Sequence, residues 1–82
     1  MLEVKTIQIK EEQKRLCSLC GIEYNADALA YSASEGVGFI GIIQFAIHEK
    51  IGIIYNIALW PGKDDHEALF IMGRAAMNFM DL

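Results

Sequence analysis

Cysteine, proline and basic side chains are all scarce in this chain. Its two cysteines, Cys17 and Cys20, are too few for a disulfide scaffold. The single proline, Pro61, opens a break at Pro61-Gly62-Lys63. Seven lysines and arginines are scattered, and where Lys10, Lys14 and Arg15 cluster, Glu11 and Glu12 sit among them. No basic face forms to follow a phosphate backbone, which argues against nucleic acid as a partner. The N-terminal stretch Met1 to Lys10 lacks the apolar core of a secretory signal. The longest apolar run, Val37 to Ile47, contains Gln44 and is too short to span a bilayer, so no membrane role is expected. These absences together give the expectation of a reduced, cytoplasmic protein.

Apolar residues, by contrast, are abundant. They make up 54% of 82 residues, and the net charge is −4. A chain this short buries only roughly 60–65% of its unfolded surface. That much apolar material is hard to hide in one small domain, which points towards self-association.

Taken in order, Leu2 to Ile9 alternates as a strand with a phase slip near Thr6. Lys10 to Cys20 reads as a short helix, with Glu11, Glu12 and Gln13 in its first turn and Gly21 as its stop. Tyr24 to Asp27 reads as a loop, Ala28 to Ser34 as a second strand and Glu35-Gly36 as a turn. Val37 to His48 is a third strand. Simple alternation puts its Val37, Phe39, Ile43, Phe45 and Ile47 on one face, and Ile40, Ile42 and Ala46 on the other. Both faces are apolar, so this strand is expected at the centre, covered on both sides. Glu49-Lys50 makes a hairpin turn into a fourth strand, Ile51 to Trp60. In that strand Tyr55 shares a face with Ile57 and Leu59, and Asn56 lies opposite with Ala58 and Trp60. A helix then runs from about Asp65 to Met80, with Asp64 as N-cap and Glu67 at capping-box spacing. Ala68, Ile71, Met72, Ala75, Ala76 and Phe79 form its broad apolar face, while Phe70 and Met77 lie together opposite, beside Arg74 and Asp81. The expected fold is one α+β domain over residues 1–82, a mainly antiparallel four-stranded sheet with two helices in the order β-α-β-β-β-α.

That order, with Ile57-Ala58-Leu59-Trp60-Pro61 ending the last strand and Ala68-Leu69-Phe70-Ile71-Met72-Gly73-Arg74-Ala75-Ala76 in the following helix, resembles the first half of the GNAT acetyltransferase fold. The resemblance covers the chain by topology and about Ile54 to Met80 by motif. It implies acetyl-coenzyme A as cofactor. The backbone of Leu59 and Trp60 would hold the pantetheine arm and polarise the acetyl carbonyl. Loop amides between Lys63 and Leu69, with Lys63 and His66 beside them, would hold the pyrophosphate. It also places mid-strand Tyr55 and Asn56, and the loop residues Glu23 and Tyr24, towards an acceptor amine. Asn56 is the one catalytic candidate, and a polar group satisfied inside the core is the competing reading of it.

Where the family has Arg/Gln-x-x-Gly-x-Gly/Ala, this chain has Asp64-Asp65-His66-Glu67-Ala68-Leu69. Glycine lets a backbone approach phosphate closely, and here there is none. Asp64, Asp65 and Glu67 instead place negative charge where the pyrophosphate would sit. The family also continues with a further strand beside the fourth, and a Tyr on a later helix often serves it as general acid. The sequence ends after the helix, so the expectation is either a partner over the fourth strand or a fragment of a longer protein. Two function classes follow: a relative of the acetyltransferases that transfers an acetyl group directly to an amine, or a non-catalytic module of that fold. The second would work through a homodimer or another protein, docked on the Ile51 to Trp60 edge or on Phe70 and Met77.

Cys17-Ser18-Leu19-Cys20 is a CxxC pattern, but it falls at a helix C-terminus, where the helix dipole disfavours thiolate. Structural thiols are the expected role. Cys17, Cys20, His48 and His66 lack zinc-ligand spacing, so no metal site is expected.

Overall fold

A computed structural model of the chain describes residues 1–81. Its elements are β1 (Leu2–Thr6), α1 (Lys10–Leu19), β2 (Leu29–Glu35), β3 (Gly38–His48), β4 (Ile51–Leu59) and α2 (His66–Met80). The strands form one antiparallel sheet in chain order, β1-β2-β3-β4. The α+β class and the β-α-β-β-β-α order are therefore those expected. Gly21, at φ +70°, closes α1, as a left-handed residue after a helix should.

The two helices cover opposite faces. On one face Ala68, Met72 and Ala76 of α2 pack on Ile40, Ile43 and Phe45 of β3. On the other, Leu16 and Cys17 of α1 pack on Ala30 and Ile42, with Phe39 against them. β3 feeds both layers, and Ile40 through Ala46 is buried throughout. This central strand carries an unbroken apolar run because each of its faces needs one.

Two bulges change the faces that alternation predicts. Ala33 pairs with Gly41 and Ser34 with Phe39, so Ile40 is an extra residue in β3. It moves Phe39 to the α1 side and Ile40 to the α2 side, the reverse of the simple reading. In β4, Asn56 pairs with Gln44 and Ile54 with Phe45, which leaves Tyr55 unpaired. Tyr55 accordingly sits beside Asn56 rather than with Ile57. The N-cap of α2 is also one residue later than expected. Asp65, not Asp64, accepts the Ala68 N–H through its side chain at 3.0 Å. Asp64 pairs with His66 at 3.3 Å, so the Asp64/Glu67 capping box does not form.

The β3–β4 hairpin turns on Glu49 and Lys50, at φ +50° and +71°. These left-handed values suit a two-residue turn, yet neither residue is the Asn or Gly that such a turn favours. Lys50→Gly is expected to raise stability by about 1 kcal/mol, read from the urea midpoint, because Gly carries no Cβ penalty at that φ. No gain would mean that the turn's strain is relieved elsewhere.

Candidate functional site

The α1 face of the sheet holds a buried polar network within an otherwise apolar layer. Its centre is Gln44, fully buried in β3. Its Oε1 accepts from Gln13 Nε2 at 2.8 Å and from the Asn25 N–H at 2.9 Å. Its Nε2 donates to the Glu23 carbonyl at 2.8 Å and to Asn56 Oδ1 at 2.9 Å. An amide side chain has two acceptor sites and two donors, and Gln44 uses all of them. Gln13, also buried, reaches the Asn25 carbonyl at 3.2 Å, and Asn56 Nδ2 reaches the Glu23 carbonyl at 3.2 Å. Lys10 Nζ joins from the start of α1, donating to Gln13 Oε1 and the Ala28 carbonyl. No buried side-chain polar atom among the described residues lacks a partner. The network therefore fastens the loop after α1 onto the centre of the sheet.

That loop and the β4 bulge wall off a recess of about 430 Å³, lined by Glu23, Tyr24, Asn25, Ala26, Tyr55 and Asn56. On its rim the Tyr55 hydroxyl and His48 Nε2 lie 3.1 Å apart. The structure thus gathers into one place Glu23, Tyr24, Tyr55 and Asn56, which the resemblance set near an acceptor. Asn56 is half-buried, with its amide oxygen and nitrogen both engaged by Gln44 and Glu23. The sequence placed Gln13 only in the first turn of α1 and Gln44 only as an interruption of an apolar run, and neither was expected in a buried network. The available signal was an amide placed mid-way along an apolar strand; the unbulged hairpin register sets it opposite Tyr55, one residue short of Asn56.

The other residues implied for cofactor binding lie further along β4 and the loop that follows it. Trp60 N–H donates to the Ile40 carbonyl at 2.8 Å, so it is already committed. The Ala58 carbonyl lies towards Gly41, 2.6 Å from where a Cβ on that glycine would be. Alternation along the strand then turns the N–H and C=O of Ile57 and Leu59 to the open side of β4. Lys63 and His66 are exposed. The N-terminus of α2 is closed by the Asp65 carboxylate, with Asp64 and Glu67 on either side. No three or more His, Cys, Asp or Glu side chains converge on a potential metal position among the described residues.

The two outer edges of the sheet differ in charge. β1 is five residues long and carries Glu3 and Lys5, which pair at 3.4 Å. β4 is nine residues long and has no charged side chain. Ile51, Ile54 and Tyr55 stand exposed along it, and Trp60 just past its end. Charged side chains on edge strands are a usual defence against pairing with another chain, and β4 has none.

Cys17 is a core group, and Cys20 packs half-buried against the same cluster. Burial raises the pKa of Cys17, and burial followed by the neighbouring Cys17 pushes Cys20 up to about 11. Neither is poised as a thiolate nucleophile. No helix among the described residues is long and apolar enough to cross a membrane. No family model, curated protein or solved structure matches the chain.

Proposed function

We propose that this chain is an acetyltransferase-related binding module that takes an extended, uncharged peptide segment along the open edge of β4. The observation that carries this reading is the contrast between the two sheet edges, one short and charged, the other long and charge-free. Ile57 and Leu59 supply outward backbone donors and acceptors, and strand addition uses those groups for affinity. The Tyr55 bulge interrupts the ladder, which confines docking to the Asn56 to Leu59 end. Exposed Trp60, packed on Phe39 with ring centroids 6.1 Å apart, provides an apolar platform at that end.

A second reading, acetyl transfer to an amine, draws support from the recess beside the bulge. In it Leu59 N–H would polarise the acetyl carbonyl, Asn56 would face the amine, and Lys63 and His66 would flank the pyrophosphate. The α2 N-terminus weighs against it. The dipole end that would attract phosphate is capped by Asp65, and Asp64 and Glu67 add like charge. Titration calorimetry with acetyl-coenzyme A separates the two. The module reading expects no saturable heat, meaning a Kd weaker than about 1 mM. A single saturable site with a Kd of tens of micromolar, weakened by Lys63→Glu, would establish the acetyltransferase reading instead.

A further inference from the structure

The outer flank of α2 carries an apolar groove of about 430 Å³, lined by Leu69, Phe70, Gly73, Arg74, Met77 and Asn78. Phe70 is 65% exposed. A Cβ built on Gly73 meets no heavy atom within 4 Å. Nothing inside the fold therefore requires glycine there, although glycine is disfavoured in a helix interior. Its effect is to leave a notch between Leu69 and Phe70 on one side and Met77 on the other.

Chain direction and chirality place this groove on the open side of β4. Met72 lies against Gly41, which pairs with Leu59, and Phe79 packs on Phe45, which pairs with Ile54. α2 therefore runs antiparallel to β4, starting at its Leu59 end. Ile57 and Leu59 carry their side chains on the α2 face and turn their backbone groups outward. For L-residues that combination fixes which flank of α2 is the outward one. A right-handed helix running this way brings Leu69, one residue after buried Ala68, and Gly73, one after buried Met72, round to that side. The last turn has crossed towards β2, where Phe79 also meets Tyr31. Only the first half of α2 thus flanks the edge, and it does so at the Asn56 to Leu59 end, where the Tyr55 bulge confines docking.

We infer that this flank is the second wall of the β4 site: a peptide strand added along β4 runs beneath Leu69, Phe70 and Gly73 and sends bulky apolar side chains into the groove. This rests on the strand addition proposed above and names the side chains that the added strand must carry. Residues directly opposite one another on neighbouring strands share a face of the sheet. The peptide residues opposite Ile57 and Leu59 therefore point to the α2 side and meet the flank. The residue between them, opposite Ala58, points to the other face, beside Trp60 and Phe39. An uncharged strand with large apolar residues at alternate positions fits both the charge-free edge and the groove, and it leaves neither open. Gly73 gives such a side chain room against the helix backbone.

Two lysine-flanked peptides of equal length test this on the full chain, one of threonine throughout and one of leucine alternating with threonine. Titration gives their affinities, and amide exchange at Ile57 and Leu59 shows where they bind. Both should slow those amides, and the leucine peptide should bind at least about tenfold tighter. Gly73→Leu fills the notch and should remove most of that preference, with the binding of the threonine peptide unchanged. The same change should raise the melting temperature, because leucine is the better helix former. A lost preference in a more stable protein is then not lost folding. Protection of Ile57 and Leu59 by neither peptide would overturn the strand addition and this inference with it. Equal affinity for the two peptides, or a leucine preference untouched by Gly73→Leu, would overturn this inference alone. So would sedimentation of the chain by itself as a dimer that Gly73→Leu breaks, because a second copy would then fill the groove.

Discussion

Gln44→Leu is expected to cost roughly 2–4 kcal/mol, the largest loss of any single polar side chain in the molecule. The estimate comes from what the change leaves behind. Gln13 Nε2 keeps the Asn25 carbonyl, and the Glu23 carbonyl keeps Asn56 Nδ2. The Asn25 N–H and Asn56 Oδ1 both lose the partners that Gln44 gave them. Both groups are half-buried beside the recess, so each sits towards the low end of the about 1–3 kcal/mol that a stranded buried group costs, and leucine's better transfer energy offsets part of it. A domain of this length has roughly 4–12 kcal/mol of stability in total, so the variant should sit near the edge of folding. The loop after α1 should loosen first, because Glu23 and Asn25 are its attachments to the sheet. Gln44→Glu should be worse. A carboxylate can accept from Gln13 and Asn25 but cannot donate to Asn56 or Glu23, and its charge would be buried. Urea unfolding followed by Trp60 fluorescence reads both variants. A Gln44→Leu protein within 1 kcal/mol of the parent would mean the network contributes little to the fold.

Gly41→Val is expected to be of similar severity by a steric route. A Cβ at Gly41 would lie 2.6 Å from the Ala58 carbonyl oxygen, 3.0 Å from Met72 Cε and 3.2 Å from Leu59 Cδ2. Met72 has flexible torsions and can yield, but the Ala58 oxygen belongs to the ladder between β3 and β4. The added side chain must push β4 away from β3 or lift α2 off the sheet. Overpacking typically costs 1–3 kcal/mol, and a backbone obstacle places this site at or above the top of that range. Gly41→Ala should already lower the urea midpoint clearly. If the alanine variant were as stable as the parent, β4 would have to lie further from β3 at this point. The outward orientation of Ile57 and Leu59 would then lose one of its supports.

The same two sites show what the sequence made legible. Element order, the Glu49-Lys50 hairpin and the central position of β3 were all readable. Alternation, helix period and turn residues are local signals, and each pointed the same way. The faces of β3 and β4 were not readable throughout. One extra residue at Ile40 and another at Tyr55 each reverse the alternation, and neither carries a mark in composition. The site was half legible. Asn56, Tyr55, Glu23 and Tyr24 do meet in one recess. The side chain that fastens them, Gln44, looked like a flaw in an apolar run, because its partners lie 12 to 31 residues away in sequence. The one-residue shift from Asp64 to Asp65 at the α2 cap is of another kind. Two adjacent aspartates compete for one role, and the path of the loop after Pro61 decides between them.

The central claim is that the Ile57 to Leu59 edge is open and built to take an added strand, and amide hydrogen exchange at β4 tests it most directly. In the chain alone, the Ile57 and Leu59 amides should exchange at least about tenfold faster than those of Asn56, Ala58 and Trp60. Adding a lysine-flanked peptide with the sequence of Ile51 to Leu59 should slow Ile57 and Leu59 selectively, and acetyl-coenzyme A should leave them unchanged. Equal protection of all five amides in the chain alone, or slowing by acetyl-coenzyme A and not by the peptide, would contradict it.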